Sequence, residues 1–180
     1  MLSLSMACQK EKGQHPDFIR DKVFYAELPN EGDTKTFLDA EAQLYWSAED
    51  RISVFRSTTN EKYRFAGVDG EISSAFSKDD SSVPGVAFST NYAIFPYNAL
   101  STCASEGSFK VSIPAEQTFV DNSFGPQDNM MVAVTENAYA NVFRFKNVCG
   151  YLVLKIYGGD TVRRIRLQGN AGEKIAGVPK

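Results

Sequence analysis

Short runs of alternating hydrophobic and polar residues recur along the chain and are separated by turn-forming residues. The first run covers residues 23–28 and stops at the turn cluster 29–33. In residues 51–56, Ile52 and Val54 alternate with polar and charged side chains, which is the two-residue period of a half-buried strand. No long stretch shows the period of an amphipathic helix. The pattern therefore predicts an all-β protein arranged as an antiparallel β-sandwich.

Turn signals and prolines divide the rest of the chain into further predicted strands. Asp69-Gly70 separates residues 63–65 from residues 72–76, and its glycine tolerates a positive φ, so a hairpin is predicted here. Pro96 and Pro114 are expected to end strands, because proline cannot donate to a ladder. Other strands are predicted at residues 34–38, 43–46, 86–89, 93–96, 109–114, 130–134, 142–146, 151–157 and 162–167, the last two joined by a reversal at Gly158-Gly159.

The composition supports the same fold class. Val, Ile, Phe, Tyr and Trp total 44 of the 180 residues, whereas Leu and Met total 13, a balance that favours sheet over helix. The hydrophobic content of 43% suffices for one sizeable core and argues against a multidomain enzyme. The net charge is −3 and Lys and Arg do not cluster, so nucleic acid is not expected as a partner.

The sequence offers little for catalysis or metal binding. The single histidine, His15, lies in a polar segment beside Pro16 and is not expected to provide an ordered general base or zinc ligand. The acidic clusters at residues 79–80, 121–122 and 128–129 lack the regular alternation of a calcium loop and are interpreted as solvated loops. We therefore predict that the protein is not an enzyme and has neither a cofactor nor a metal site.

Cys8 follows a short apolar stretch and a small residue, an order that resembles a bacterial lipobox. We expect the Cys8 thiol to be acylated, and residues 1–8 to be the remainder of a lipoprotein signal whose start lies upstream or was trimmed. Residues 9–22 are polar, carry Gly13 and Pro16, and are predicted to form a flexible tether before a folded domain at residues 23–180. The alternative is an unmodified cysteine in a disordered tail.

Cys103 and Cys149 leave two alternatives open. In an exported protein their thiols could form a disulfide. Otherwise, Cys149 is expected to be a small buried thiol at the start of a strand, and Cys103 a thiol in a loop.

An ordered series of motifs gives the chain a family resemblance from about residue 23 to residue 177. The motifs are the opening strand with Phe24 and Ala26, followed by residues 45–55, 93–98, 111–117, 145–152, 165–167 and 175–177. In this order, and behind Cys8, they resemble the fimbrillin-like (Mfa-like, FimA-type) lipoproteins of Bacteroidales, which form or decorate surface fimbriae.

The resemblance implies a transthyretin-like, Greek-key β-sandwich that is exported as a lipoprotein and held at the outer membrane by its lipid anchor. A second sandwich usually follows in this family. We therefore expect either that a C-terminal domain follows residue 180 or that this protein lacks that domain. The implied function is that of a structural or adhesive fimbrial subunit or accessory component. Its expected partners are other fimbrial subunits, of the same or a related protein, and a host or bacterial surface receptor.

The family's assembly mechanism implies two further site predictions. An arginine-specific protease removes the leading segment of polymerising members, and Arg20 is the predicted processing site because it lies just before the opening strand. A strand of the next subunit then fills the groove. Phe24, Ala26 and Leu28 share one face of the opening strand, so this face is predicted to be buried and its loss to uncover the core.

Glycan binding by a cell-surface lipoprotein is the alternative function, because β-sandwiches often bind sugars through exposed aromatic side chains. The candidate residues are Tyr63, Tyr92, Tyr97 and Tyr139. Half-buried structural tyrosines are the competing interpretation of the same four positions.

Overall fold

The computed structural model of the chain describes residues 23–29, 44–82, 85–120, 123–124, 128–149, 154 and 156–173. These residues form strands, turns and irregular segments without a helix, so the prediction of an all-β protein is confirmed. No helix that could cross a membrane occurs in these ranges. The strands are β1 (Val23–Glu27), β2 (Arg51–Phe55), β3 (Glu61–Phe65), β4 (Ser73–Lys78), β5 (Tyr92–Phe95), β6 (Thr102–Ser105), β7 (Ser108–Lys110), β8 (Phe119–Val120), β9 (Ser123–Phe124), β10 (Met131–Val134), β11 (Val142–Arg144) and β12 (Lys146–Asn147).

Eight strands form one sheet with the order β11-β1-β4-β3-β2-β5-β10-β12. A single residue, Phe145, joins β11 to β12, although these two strands lie at opposite ends of this order. The sheet therefore curls until its two ends approach each other, which gives a sandwich- or barrel-like arrangement. The Greek-key and transthyretin-like type stays a prediction.

Strand direction agrees with the prediction except at one pair. β1 is antiparallel to β4 but parallel to β11. The other neighbours in the eight-stranded sheet are antiparallel. Parallel neighbours require a long crossover rather than a tight turn, and the chain between β1 and β11 passes through most of the sheet before it returns.

Alternate residues of the curled sheet share one core that is rich in aromatic side chains, contributed by β1 to β5, β10 and β11. The ring centroid of Trp46 lies 4.9 Å from that of Phe76, 5.3 Å from Phe95 and 5.6 Å from Phe145, with the rings edge to face. Trp46 is 1% exposed and also pairs with Glu71 in an isolated bridge. Its indole therefore fixes the chain before β2 onto the core.

The outer face of β2 and β5 is covered by a second, smaller cluster. Phe55, Ile94 and Cys103 are buried there, and the ring of Phe109 lies 5.2 Å from that of Phe55. Cys103 and Phe109 belong to the β6–β7 hairpin, which forms a separate two-stranded sheet. This hairpin explains why β2 has both faces buried over most of its length.

The predicted hairpin around Asp69-Gly70 is confirmed. β3 and β4 pair antiparallel, and Gly70 has a φ of 91°, the left-handed conformation that glycine adopts most readily. β5 ends at Phe95, directly before Pro96, as expected. Residues 34–38 and most of residues 151–157 lie outside the described ranges.

Two strand predictions are wrong in the described residues, and a third is only partly right. Residues 86–89 form no strand, because the backbone N–H groups of Ala87 and Phe88 both donate to the carbonyl of Arg56 rather than to a ladder. Residues 162–167 are irregular and exposed, with no strand beside them. In residues 109–114 the strand ends at Lys110, and the hairpin partner β6 replaces the loop predicted around Cys103.

Both described cysteines are free thiols, so the structure contains no Cys103–Cys149 disulfide. The predicted burial is also reversed. Cys103 is buried at 4% exposure under the β6–β7 hairpin, and burial raises the pKa of its thiol, whereas Cys149 is exposed. β12 ends at Asn147, so Cys149 lies beyond the sheet. The short apolar sequence around Cys149 does not reveal this end of the strand.

Candidate functional site

β1 fills a space between two strands that are distant in the sequence. Its residues pair with β4 along the whole strand, and Tyr25, Ala26 and Glu27 also pair with β11. The backbone N–H of Tyr25 donates to the carbonyl of Asn141 at 2.8 Å. We call the space between β4 and β11 that β1 occupies the first-strand slot. A strand in this slot has ladder partners on both of its edges.

The hydrogen bonds of β1 continue past its last residue. The N–H of Leu28 donates to the carbonyl of Ile72 at 2.9 Å, and the N–H of Phe145 donates to the carbonyl of Glu27 at 2.9 Å. Phe145 is the residue that joins β11 to β12, so this bond fixes the point where the two ends of the sheet meet. Occupation of the first-strand slot thus supports closure of the sheet.

Phe24 occupies an aromatic pocket at the start of the slot. Its ring is stacked on Phe143 with centroids 4.7 Å apart and meets Tyr63 edge-on at 5.5 Å. The guanidinium carbon of Arg56 lies 5.7 Å from the centroid of the same ring, within the range of a cation–π contact. These three neighbours favour an aromatic side chain at this position.

Ala26 is the most buried of the three inward residues of the slot. The residue is fully buried, and its carbonyl accepts a 3.0 Å hydrogen bond from Nε1 of the buried Trp46 indole. A buried indole N–H needs such a partner, so Trp46 and the β1 backbone satisfy each other. Leu28 completes the inward face at 7% exposure. The structure therefore brings the three predicted opening-strand residues onto one buried face.

The opposite face of β1 is open to solvent. Tyr25 is 48% exposed. Oε2 of Glu27 lies 3.0 Å from Nε of Arg144, in an ion pair whose side chains are 39% and 65% exposed. Solvent screens such a pair, so it contributes at most about 1 kcal/mol. The buried face, rather than the ion pair, holds β1 in place.

A cluster of buried charges lies beside the aromatic pocket. Arg56, Glu61 and Lys78 are each less than a tenth exposed. Nζ of Lys78 donates to Oδ1 of Asp80 at 2.5 Å and also to the Ser82 hydroxyl, and the bond from Lys78 holds the pKa of Asp80 well below its usual value. Burial raises the pKa of Glu61 although Lys78 and Arg56 both act to lower it. The cluster therefore contains carboxylates, those of Glu61 and Asp80, that can balance the positive charges of Arg56 and Lys78.

Cys8, His15 and Arg20 lie outside the described residues. The position of β1 nevertheless limits what processing at Arg20 could achieve. A cut after Arg20 leaves β1 attached to the rest of the chain, because β1 begins at Val23. Residues 28–50 contain no arginine and one lysine, Lys35. An arginine-specific protease therefore cannot separate β1 from β2 by cutting this connection.

The acidic clusters that were considered for calcium are engaged within the fold where they are described. Asp79 lies 3.2 Å from Nζ of Lys62 and 4.0 Å from Nε of Arg64. Oδ2 of Asp128 accepts from the backbone N–H of Thr118 at 2.8 Å. Across the described ranges, no three His, Cys, Asp or Glu side chains are grouped so that they could hold a metal ion.

The four candidate tyrosines do not form one surface. Tyr63 is fully buried in the core, so its interpretation as an exposed sugar-binding residue is wrong. Tyr92 packs against the smaller hydrophobic cluster, and Tyr139 is 61% exposed. Tyr97 follows β5 at the end opposite Tyr92, and Nζ of Lys62 lies 5.3 Å from the centroid of its ring.

Tyr97 also borders a cleft of about 450 Å³. The cleft combines apolar walls with polar groups from Asn98, Ser101, Ser112 and Asp128. Part of this polarity is already used, because the carbonyls of Asn98 and Ser101 accept hydrogen bonds from the Asn60 side chain.

The sequence pattern carries a signal for the buried charges. Arg56 continues the inward face of Ile52 and Val54, and Lys78 continues that of Phe76, each by the two-residue period. The strand predicted at residues 72–76 stops short of Lys78, whereas β4 extends through this residue and buries it. No model of a known protein family, no curated protein and no solved structure matches this chain, so the family resemblance rests on the sequence motifs.

Proposed function

We propose that the protein is a structural or adhesive fimbrial subunit, or an accessory component of a fimbria, that assembles on the bacterial surface by β-strand complementation. The observation that carries the proposal is the first-strand slot. A strand that begins the described chain lies between β4 and β11, with both edges bonded and one apolar face buried. Another subunit's strand could make the same contacts.

If β1 left the slot, the exposed strand edges and side-chain pockets would favour binding of another strand. β4 and β11 would each expose unpaired backbone groups, which readily template a new strand. The pockets of Phe24 and Leu28 would open to water, and burial of these two side chains is worth roughly 1.5–3 kcal/mol each. An incoming apolar strand recovers this free energy, so an empty slot favours assembly.

The manner of opening follows from the chain connection. Cleavage at Arg20 leaves β1 joined to β2. The slot therefore opens only when β1 separates from β4 and β11 while still attached to the chain, or when another protease cuts between β1 and β2. If neither occurs, β1 stays in its own slot and the protein acts as an accessory component that does not accept a donor.

Strand acceptance can be tested on the full chain with a protease recognition sequence inserted after Gly32, between β1 and β2. After cutting, β1 is held without a covalent link. We expect a labelled peptide of residues 23–28 to enter the slot, as measured by comigration with the protein in gel filtration. The uncut protein is the matched control and should capture little peptide. Equal capture by both forms, or capture by neither, would contradict the proposal.

Surface localisation is proposed through lipidation of Cys8, which the lipobox-like order of residues 4–8 supports. When the native protein is expressed with a complete leader, it should partition into the detergent phase, and mass spectrometry should show the added mass of its acyl chains. The Cys8→Ser variant should stay in the aqueous phase. An unmodified Cys8 in the native protein would refute the anchor.

Processing at Arg20 is proposed from its position just before β1. Limited digestion with an arginine-specific protease should cut there first and leave β1 bound to the domain. The N-terminus of the large product identifies the cut, and Arg20→Lys is the control that should resist it. A first cut at Arg163 or Arg164, which are exposed in the irregular segment 156–173, would contradict the assignment.

Glycan binding is the second candidate, favoured by the cleft beside Tyr97. An aromatic ring with nearby amide, hydroxyl and carboxylate groups is suited to a sugar ring and its hydroxyls. A glycan array should then give a hit that Tyr97→Ala abolishes and Tyr139→Ala preserves. An array without a hit removes this candidate.

A further inference from the structure

We infer that the cleft beside Tyr97 binds a saccharide without acidic groups, and that Asp128 is the residue that excludes acidic sugars. This inference rests on glycan binding, the second proposed function, and specifies its ligand class. The cleft lies where the loop after β5, residues 96–101, meets residues 112–114 and 128–130. Its volume of about 450 Å³ is within the range of sites that bind small ligands.

Hydrogen bonds hold the loop after β5 in place before any ligand arrives. Nδ2 of Asn60 donates to the carbonyls of Asn98 and Ser101 at 2.9 and 3.0 Å. The backbone N–H of Ser101 also donates to the carbonyl of Asn98 at 3.0 Å. Both residues line the cleft, so this wall is preorganised and a ligand loses little free energy to ordering it.

Two polar side chains of the cleft are oriented by backbone N–H groups. Oδ1 of Asn98 accepts from the N–H of Leu100 at 2.9 Å, which leaves the amide NH₂ of Asn98 to donate to a ligand. Oδ2 of Asp128 accepts from the N–H of Thr118 at 2.8 Å, which leaves Oδ1 to accept from a ligand. The cleft therefore offers a fixed donor and a fixed acceptor, and a sugar hydroxyl can bond to either.

The rest of the lining suits the ring of a sugar. Nζ of Lys62 lies 5.3 Å from the centroid of the Tyr97 ring, so the other face or the edge of this ring is left for a ligand. Ser112 adds a hydroxyl that can donate or accept. The C–H groups of a sugar can pack against the apolar residues of the lining, which are Ile94, Pro96, Ala99, Pro114 and Met130.

The charge of the cleft determines which sugars fit. Asp128 is the only charged side chain among the described residues that line it. Lys62 lies outside this lining, and its ammonium is paired with Asp79 at 3.2 Å. A ligand carboxylate, sulfate or phosphate beside Asp128 would therefore meet a like charge without a cation to compensate it. A ligand hydroxyl would instead donate a charge-assisted hydrogen bond to Oδ1 of Asp128.

The test compares neutral sugars with acidic sugars of the same shape. The probes are the methyl glycosides of glucose, galactose and mannose, each paired with its uronoside, in which a carboxylate replaces the hydroxymethyl group. NMR titrations of the isotope-labelled full chain at neutral pH give the dissociation constants. We expect at least one neutral glycoside to bind, and its uronoside to bind at least about tenfold more weakly.

Asp128→Asn tests the residue that carries the selectivity. Asparagine keeps an oxygen that can accept from the Thr118 N–H, so the cleft should retain its shape. The difference between a neutral glycoside and its uronoside should shrink to less than about threefold. Asp160→Asn is the matched control, because it changes the net charge equally at an exposed residue that does not line the cleft, and it should preserve the tenfold difference.

The outcomes separate this inference from glycan binding itself. Equal affinity for a neutral glycoside and its uronoside, or tighter binding of the uronoside, would refute the exclusion of acidic sugars and leave glycan binding standing. A difference that Asp128→Asn leaves unchanged would refute the role of Asp128. If none of the glycosides shifts the resonances of the protein, glycan binding and this inference are both refuted.

Discussion

Phe24→Ala is expected to destabilise the protein strongly, because it removes the side chain that fills the aromatic pocket of the first-strand slot. Phe24 is 2% exposed and contacts Phe143, Tyr63 and Arg56. Truncation of a buried phenylalanine costs about 3–5 kcal/mol. The total stability of a single domain is about 5–15 kcal/mol, so this one change removes a large share of it.

Urea denaturation followed by tryptophan fluorescence measures the effect, because Trp46 is the only tryptophan and lies in the same core. With a slope of about 2 kcal/mol per molar urea, the midpoint should fall by about 2 M. Tyr25→Ala is the matched control, since Tyr25 is its neighbour on the exposed face and should change stability by less than about 1 kcal/mol. If both variants lower the midpoint equally, β1 does not hold the structure through its inward face.

Three further predictions follow from single side chains. Trp46→Phe should lower the free energy of unfolding by about 1–3 kcal/mol, because the buried Ala26 carbonyl loses its donor, and calorimetry would show no loss if this bond is unimportant. Burial raises the folded-state pKa of Glu61, so ionisation of this carboxyl costs stability once the pH rises above the ordinary pKa of a glutamate. The stability of Glu61→Gln relative to the native protein should therefore increase with pH in urea titrations, and a constant difference would contradict the shift. A thiol reagent should label exposed Cys149 rapidly and buried Cys103 only on unfolding, and equal labelling rates would place Cys103 outside the core.

The two-residue period predicted much of the fold because it reflects burial on one face of a strand. It located β1, β2 and the β3–β4 hairpin, and it placed Ile52 and Val54 in the core. Turn chemistry added the position of Gly70, whose positive φ suits a residue without a Cβ. These features depend on neighbouring residues, which a single sequence displays directly.

Features that depend on distant partners could not be predicted in this way. The parallel pairing of β1 with β11 joins strands more than 100 residues apart and leaves no local signal. Residues 162–167 have the β-branched and alternating character of a strand but find no neighbouring edge among the described residues. Strand propensity mainly measures how well a residue fits a partly buried sheet, so it cannot supply the partner.

The sequence alone predicts which residues form the buried face of β1. It does not predict which residues these side chains contact. The period alone put Phe24, Ala26 and Leu28 on one side of β1. The stacking on Phe143 and the hydrogen bond from Trp46 arise from tertiary packing, and neither residue has a sequence spacing that reveals the contact. Arg56 is the exception, because the two-residue period of Ile52 and Val54 extends to this residue and puts it on the inward face.

The contacts that hold β1 in the slot also determine how readily the slot opens. The stacking of Phe24 and the bond to the Ala26 carbonyl would stabilise a donated strand, but the chain's own β1 uses both and has the advantage of its tether. A donor of equal quality therefore cannot displace β1 while the connection through residues 28–50 is intact. Because that connection has no arginine, processing at Arg20 leaves the advantage in place. Under the proposed function, acceptance of a strand from another subunit thus depends on the β1–β2 connection more than on the slot itself.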